Sequence, residues 1–176
     1  MSRTTVKKAI ADFDAAQLRE LLLDIYGKSK EAKELLDFFA NPDIPAKLEE
    51  YKKPLSKEIN RYVRRAHRPR IPKIRALHKK FATIEPGDEA IADLMVFTIV
   101  ELCTVATNDW FKDSTNDAIN KLFLETLNYL QPRMLLDEYL PRLTKVINGM
   151  KDFRYYKNPL REILLDTLYR FQLDIH

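Results

Sequence analysis

The stretch EAIADLMVFTIVELCTVAT, residues 89–107, decides the fold. Its apolar residues recur with the period of an α-helix, and one set covers about half of the helix circumference: Met95, Val96, Ile99, Val100, Leu102, Cys103 and Ala106. Leu94, Phe97 and Val105 fall among polar residues on the opposite side. Both sides should therefore contact protein, and we predict a helix at the centre of a helical bundle.

Helical spacing continues on both sides of this segment, and no stretch has a convincing strand pattern. N-capping residues, prolines and glycines separate the predicted helices, which cover about residues 14–27, 29–41, 45–66, 73–83, 89–107, 115–130, 132–148 and 159 onward. We therefore predict an all-α fold, a single-domain multi-helix bundle or a stack of helical hairpins with about eight or nine helices. One domain of residues 1–176 agrees with the length.

Composition predicts a cytoplasmic protein with no membrane partner. Cys103 is the only cysteine and lies in an apolar run, as a small buried residue would in a reducing compartment. Asp12 interrupts the apolar core that a signal peptide would need after the basic residues Lys7 and Lys8. Glu101 makes the central segment too polar for a bilayer span of about 20 residues.

Motifs for catalysis and for cofactor binding are missing. There is no glycine-rich phosphate loop, and one cysteine with three histidines (His67, His78 and His176) gives no close-spaced zinc set. We therefore predict no metal, no cofactor and no assignable catalytic residue, and we favour a non-enzymatic role. His67 and His78 lie in a basic region and are interpreted as surface or partner-binding histidines.

Glu101 is the acid with the most apolar surroundings in the sequence. A carboxylate in such a place needs a partner or a shifted pKa. It is either a general acid or base in a pocket, or one half of a salt bridge to an arginine of a neighbouring helix. We favour the salt bridge, because no second catalytic group can be assigned.

Residues 51–80 form a basic stretch with twelve Lys or Arg and a single acid, Glu58, whereas the other residues carry 18 basic and 25 acidic side chains. If helices flank the segment RPRIP (68–72), the cations gather on the outer surface of a proline-stiffened corner. Arginine suits phosphate or carboxylate ligands. The candidate nucleic-acid or anion-binding residues are Arg61, Arg64, Arg65, Arg68, Arg70, Lys73, Arg75 and Lys79.

Two functions remain open at this point. The first is a protein-interaction or scaffold module with an unknown protein partner, and homo-oligomers are compatible with it. The alternative is nucleic-acid binding, in which the rings of FRYYK (153–157) could stack on unpaired bases. Against this alternative, acids such as Asp24, Glu31 and Glu34 could neutralise the basic surface within the molecule.

Two segments carry a resemblance to a known family: VKKAIADFDAAQLRELLLDIYGKSKEAKELLDFFANP (6–42) and LHKKFATIEPGDEAIADLMVFTIVELCTVAT (77–107). They resemble a family of small, all-helical bacterial proteins known only as a domain of unknown function. The resemblance covers about residues 5–148 and includes Glu101. It implies an all-α fold and brings no activity, cofactor or catalytic residue.

Overall fold

The structure is a computed structural model that describes residues 2–175, with side chains as far as Leu173, so His176 lies outside the described residues. Within residues 2–175 the predicted all-α fold is confirmed, with nine helices, none of which is long and apolar enough to cross a membrane. The elements are α1 (Arg3–Ala9), α2 (Ala15–Lys28), α3 (Lys30–Ala40), α4 (Ile44–Ile59), β1 (Tyr62–Val63), β2 (Ala66–His67), α5 (Ile71–Ala82), α6 (Asp88–Ala106), α7 (Asp113–Leu130), α8 (Leu136–Gly149) and α9 (Pro159–Ile175).

The chain divides into two compact units, one up to Asp43 and one from Ile44 onward. In the first unit α2 and α3 pack together as the predicted helical hairpin. Asp14 caps α2 through reciprocal hydrogen bonds with Gln17, as its position predicted. Gly27 was predicted to end α2 in a left-handed conformation, but it lies inside the helix without positive φ, because Ser29 caps the next helix. The single-domain prediction stays a prediction.

The second unit is built around α6, as predicted. This helix contacts α4, α5, α7, α8 and α9. Both sides of it are buried, since Leu94, Ile99, Leu102 and Cys103 are all at most 1% exposed. Each large apolar side chain buried in this way contributes about 1.5–3 kcal/mol relative to exposure. The packing around α6 therefore forms the main core of the unit and fixes the ends of its loops.

The prediction of a helix over 45–66 is wrong after Ile59. There α4 ends, and the chain forms an antiparallel β-hairpin with Tyr62 opposite His67 and Val63 opposite Ala66. Arginine and alanine favour helix, but tertiary hydrogen bonds to the hairpin outweigh that preference. As a result Tyr62, predicted to face the core, is 61% exposed.

The structure also differs from the predictions at two prolines in and just before α8. Pro132 was predicted to begin a helix, but it lies in a short 3-10 turn, and α8 begins at Leu136. Pro141 was expected to interrupt that helix and lies within it instead. Gly149 is the last residue of α8, one residue beyond the predicted end at about 148.

Candidate functional site

The basic stretch contains a β-hairpin whose tip is made of two arginines. We refer to residues 61–68 as the arginine hairpin. Arg64 and Arg65 form its two-residue loop, with φ of 52° and 64°. Hairpins of this class need positive φ at both loop positions, and asparagine followed by glycine is the usual pair. For other L-residues this backbone conformation costs about 1–2 kcal/mol each, so the tip is strained.

The base of the arginine hairpin is closed by hydrogen bonds. The Arg68 N–H donates to the Arg61 carbonyl at 2.8 Å. Next along the chain, the Arg70 N–H donates to the Glu58 carbonyl at 3.2 Å, and the Arg70 guanidinium forms a two-pronged ion pair with the Glu58 carboxylate, Nη2 to Oε1 at 2.7 Å. The Glu58 side chain is only 13% exposed and the Arg70 side chain is 40% exposed, so this pair closes the hairpin with its carboxylate largely desolvated and its guanidinium in part accessible to solvent.

Glu101 also supports the point where α4 ends. Its Oε2 accepts hydrogen bonds from Ser56 Oγ and from Asn60 Nδ2, both at 3.3 Å. The expected salt bridge to an arginine is therefore replaced by a hydroxyl and an amide of α4. The helix stops before Arg61, so the arginines leave the face that Glu101 contacts. These hydrogen bonds join Glu101 of α6 to the end of α4.

His67 ties the arginine hairpin to the loop after α6. Asp109 Oδ2 accepts from the His67 backbone N–H at 2.7 Å and lies 2.8 Å from ring Nδ1. Since a carboxylate only accepts, Nδ1 carries the proton. Burial raises the pKa of Asp109, but the hydrogen bonds from His67 and from the Trp110 N–H outweigh it and lower the pKa overall. Asp109 is thus a stable anionic anchor for the hairpin.

An aromatic cluster, defined as Trp110, Phe153, Tyr155 and Tyr156, follows directly after this anchor. The Trp110 ring lies 5.3 Å from Phe153 and 6.4 Å from Tyr156, measured between centroids. Backbone hydrogen bonds between Phe153 and Tyr156 close a tight turn. Trp110 is 48% exposed, and Tyr155 and Tyr156 are exposed by 74% and 69%. Rings thus reach solvent beside the hairpin that His67 anchors.

Asn158 joins the aromatic turn to the end of α6. Its Nδ2 donates to the Ala106 carbonyl at 2.8 Å and to the Lys151 carbonyl at 3.3 Å. The side chain is almost fully buried. The arginine hairpin, the loop at 107–112 and the aromatic turn are therefore joined by direct contacts in the second unit.

The eight predicted site residues fall into three groups. Arg70 and Arg75 are paired internally, Arg70 with Glu58 and Arg75 with Glu125 at 2.7 Å. Lys73 and Lys79 are exposed along α5. Within the described part of the chain, no carboxylate pairs with the four residues that the hairpin brings together: Arg61, Arg64, Arg65 and Arg68. Anion binding by these residues stays a prediction.

His78 points toward the core of the second unit. Its Nε2 lies 2.8 Å from Thr98 Oγ1, and that hydroxyl donates to the Leu94 carbonyl at 2.9 Å, so His78 is the donor in the first bond. Burial, with help from the nearby positive charge of Arg75, lowers the pKa of His78 to about 4. The interpretation of His78 as a surface histidine is therefore wrong.

Catalytic chemistry finds little support in the described residues. Among residues 2–175 no three His, Cys, Asp or Glu side chains form a group that could hold a metal ion. Cys103 is buried as predicted, and burial raises the pKa of its thiol to about 12. Thiolate chemistry at Cys103 is therefore disfavoured at neutral pH.

An open cavity of about 380 Å³ lies between α6 and α8, lined partly by Thr104, Arg142 and Lys145.

Sequence reasoning missed Trp110 and Asp109. Trp110 is the only tryptophan of the chain and stands in the polar loop sequence NDWFKD (108–113), which is a usable signal for an exposed functional ring. The link from His67 to Asp109 spans 42 residues and has no signal in sequence spacing.

A family model described as a family of unknown function (DUF6155) matches residues 1–164. The chain belongs to this family. No curated protein and no solved structure matches the chain. The DUF6155 match includes the arginine hairpin, Trp110 and the aromatic turn, and it confirms the resemblance to an uncharacterised family.

Proposed function

We propose that this protein binds nucleic acid, with the arginine hairpin as the principal contact to backbone phosphates. The observation that carries the proposal is the strained tip, where Arg64 and Arg65 hold left-handed backbone and remain exposed and unpaired within the described residues. Strained backbone outliers concentrate at functional sites. Asparagine followed by glycine would form this turn with less strain. Two arginines at these positions therefore indicate that their side chains have a role other than forming the turn.

Charge supports phosphate as the ligand. Glu58, the single acid of residues 51–80, is already bound to Arg70 and cannot neutralise the tip. The planar guanidinium donates two parallel hydrogen bonds to phosphate oxygens. A surface of this kind binds through release of counterions, so its affinity depends steeply on salt. A cytoplasmic location is part of the proposal.

The test is a titration of fluorescein-labelled RNA and DNA of about ten nucleotides, followed by fluorescence anisotropy at about 50 and 200 mM salt. If four arginines each neutralise one phosphate, log K against log salt has a slope of about −3. The variant Arg64→Glu, Arg65→Glu, Arg68→Glu should lose about 100-fold in affinity at the lower salt.

A matched variant, Arg19→Glu, Lys30→Glu, Lys121→Glu, changes the net charge equally and alters no residue of the proposed surface. It should lose much less affinity than the hairpin variant. Equal losses in both variants would reduce the proposal to a general effect of net charge. Binding that is insensitive to salt would remove phosphate as the ligand.

A second candidate function is protein binding through self-association of the first unit. Its helices have no fully buried side chain. Eight large apolar side chains of this unit are exposed by 38% or more: Val6, Phe13, Leu18, Leu22, Leu23, Ile25, Leu35 and Phe39. Two helical hairpins that pair their apolar faces form a four-helix bundle. A patch of this kind commonly marks a protein interface.

Light scattering over a range of protein concentrations tests this second candidate. We expect a mass above the 20.7 kDa of one chain, and a return to that mass in the variant Leu23→Gln, Phe39→Gln. These two side chains are the most exposed of the set, at 69% and 80%, so the change costs little folding stability. A wild-type protein that stays monomeric at all concentrations contradicts self-association.

A further inference from the structure

Trp110 and the exposed tyrosines give the surface a second kind of contact beside charge. The Trp110 ring contacts Phe153 and Tyr156, and the Trp110 backbone N–H donates to Asp109 Oδ1 at 2.9 Å. Burying these rings in the core would have gained about 25 cal/mol per Å² of apolar surface removed from water. They are nevertheless exposed, in a group, at a site that carries unpaired cations.

The cluster is coupled to the arginine hairpin by one residue. Asp109 accepts two hydrogen bonds from His67, which pairs with Tyr62 in the hairpin, and Trp110 is the next residue along the chain. The Tyr62 ring lies 5.0 Å from the His67 ring and is also exposed. The hairpin that carries the arginines and the loop that carries Trp110 are therefore joined through Asp109.

Internal partners hold the two carboxylates that adjoin the cluster in the chain. Asp109 is bound by His67, and Asp152 accepts from the Asn158 N–H at 3.0 Å and pairs with Arg161 at 2.7 Å. The hydrogen bond from Asn158 is the main reason why the pKa of Asp152 is lowered, so this group stays ionised and paired. Arg154 lies over the Tyr155 ring at 5.2 Å and adds a cation to the same surface.

We propose that this surface is selective for single-stranded nucleic acid, with unpaired bases stacked on Trp110, Tyr155 and Tyr156 and the backbone phosphates bound by the arginine hairpin. The inference rests on the proposed function and names its substrate class. A duplex keeps its base faces inside its own stack, so it gains only the arginine contribution. A single strand gains both, and each stacked base adds affinity with little regard to sequence.

The first experiment uses the wild-type protein, because Trp110 is its only tryptophan and reports directly on its own surroundings. A single strand of about ten nucleotides should quench the tryptophan fluorescence as it binds, whereas a duplex of equal length should bind without quenching. RNA and DNA versions of each probe show which sugar the site accepts.

The second experiment measures affinities of three variants for the same probes. Trp110→Ala should lower single-strand affinity about tenfold and leave duplex affinity unchanged, whereas Trp110→Phe keeps a ring and most of the affinity. Tyr169→Ala, which removes a ring that is 63% exposed and lies outside the cluster, should change neither. Melting temperatures verify that each variant is folded.

The outcomes separate the two proposals. Binding of single strand and duplex with equal affinity and without quenching overturns the single-strand inference and leaves phosphate binding intact. If neither probe binds the wild-type protein, both proposals fail, and the exposed rings become candidates for a protein contact. Should Trp110→Ala not fold, the wild-type quenching and the affinity of Trp110→Phe still decide the matter.

Discussion

From Arg61 on, the basic stretch has two halves, the arginine hairpin (61–68) and residues 70–80. Both are rich in cations, but they fold differently. In the arginine hairpin the cations stand at a strained tip without carboxylate partners among the described residues. In the half that follows, Arg70 and Arg75 each form a two-pronged pair with a glutamate, and His78 donates to a buried hydroxyl. In the second half the two arginines are paired within the molecule, whereas Lys73 and Lys79 stay exposed, and ligand binding by the first half is our proposal.

This difference shows that charge density alone does not define a binding surface. What matters is where the backbone places each cation and whether a carboxylate reaches it. A hairpin tip projects both of its loop side chains outward. A helix such as α5 can instead place a basic residue against a carboxylate of a neighbouring helix, as with Arg75 and Glu125, while Lys73 and Lys79 stay exposed. The comparison can be tested by changes on either half.

The largest effect is expected from His78, in the second half of the basic stretch. Its pKa is about 4 in the folded protein and about 6.5 when unfolded, because the folded site excludes the charged form. Above pH 6.5 both states are neutral. As pH falls from 6.5 to 4 the unfolded state takes up a proton and the folded state does not, so stability falls by up to about 3 kcal/mol.

Urea unfolding at a series of pH values, with wild type and His78→Gln, measures this effect. Glutamine keeps a donor for Thr98 and does not titrate, so the variant should lose less stability over that range. Other groups titrate in both proteins and cancel in the difference. Parallel plots of unfolding free energy against pH for the two proteins would mean that burial does not lower the pKa of His78.

The second effect compares two arginine–glutamate pairs of the same geometry and different burial. Glu58→Gln removes the negative charge of a carboxylate that is only 13% exposed and accepts two hydrogen bonds from Arg70, and we expect a loss of about 2 kcal/mol in the free energy of unfolding. Glu125→Gln is the matched control, since its pair with Arg75 is exposed, and it should cost less than about 1 kcal/mol. Chemical denaturation of both variants measures the difference, and equal losses would contradict the role of burial.

The core could be predicted from the sequence because the helical spacing of apolar residues is a local signal. The central position of α6 followed from Leu94 and Val105 on its second side, and capping by Asp14 and Ser29 followed from residue type. The hairpin could not be predicted this way. Its anchor, Asp109, is supplied from 42 residues away, and helix-favouring residues fill its loop.

The candidate site was predicted in part for the same reason. The basic composition of residues 61–79 is visible in the sequence, but pairing of Arg70 and Arg75 depends on tertiary contacts with Glu58 and Glu125. FRYYK was noticed as an aromatic stretch, yet Trp110 joins it only through folding. Local patterns thus identify residue classes, and the fold decides which are free.

The smallest effect on stability is the most informative for the arginine hairpin. Replacing the tip with the preferred pair, Arg64→Asn with Arg65→Gly, relieves the left-handed strain and should stabilise the protein by about 1 kcal/mol. The same change removes two cations, so nucleic-acid affinity should fall about tenfold and the salt slope should weaken by close to two phosphates, or about 1.5.

Opposite signs for stability and affinity would identify the tip as a place where function overrides local preference. Thermal unfolding and the anisotropy titration measure the two quantities on one sample. Arg64→Lys with Arg65→Lys is the control, because it keeps both charges and the strain and should leave the stability and the salt slope nearly unchanged. A more stable variant with undiminished affinity would show that the arginines at the tip serve no ligand, and the contrast between the two halves of the basic stretch would then be only conformational.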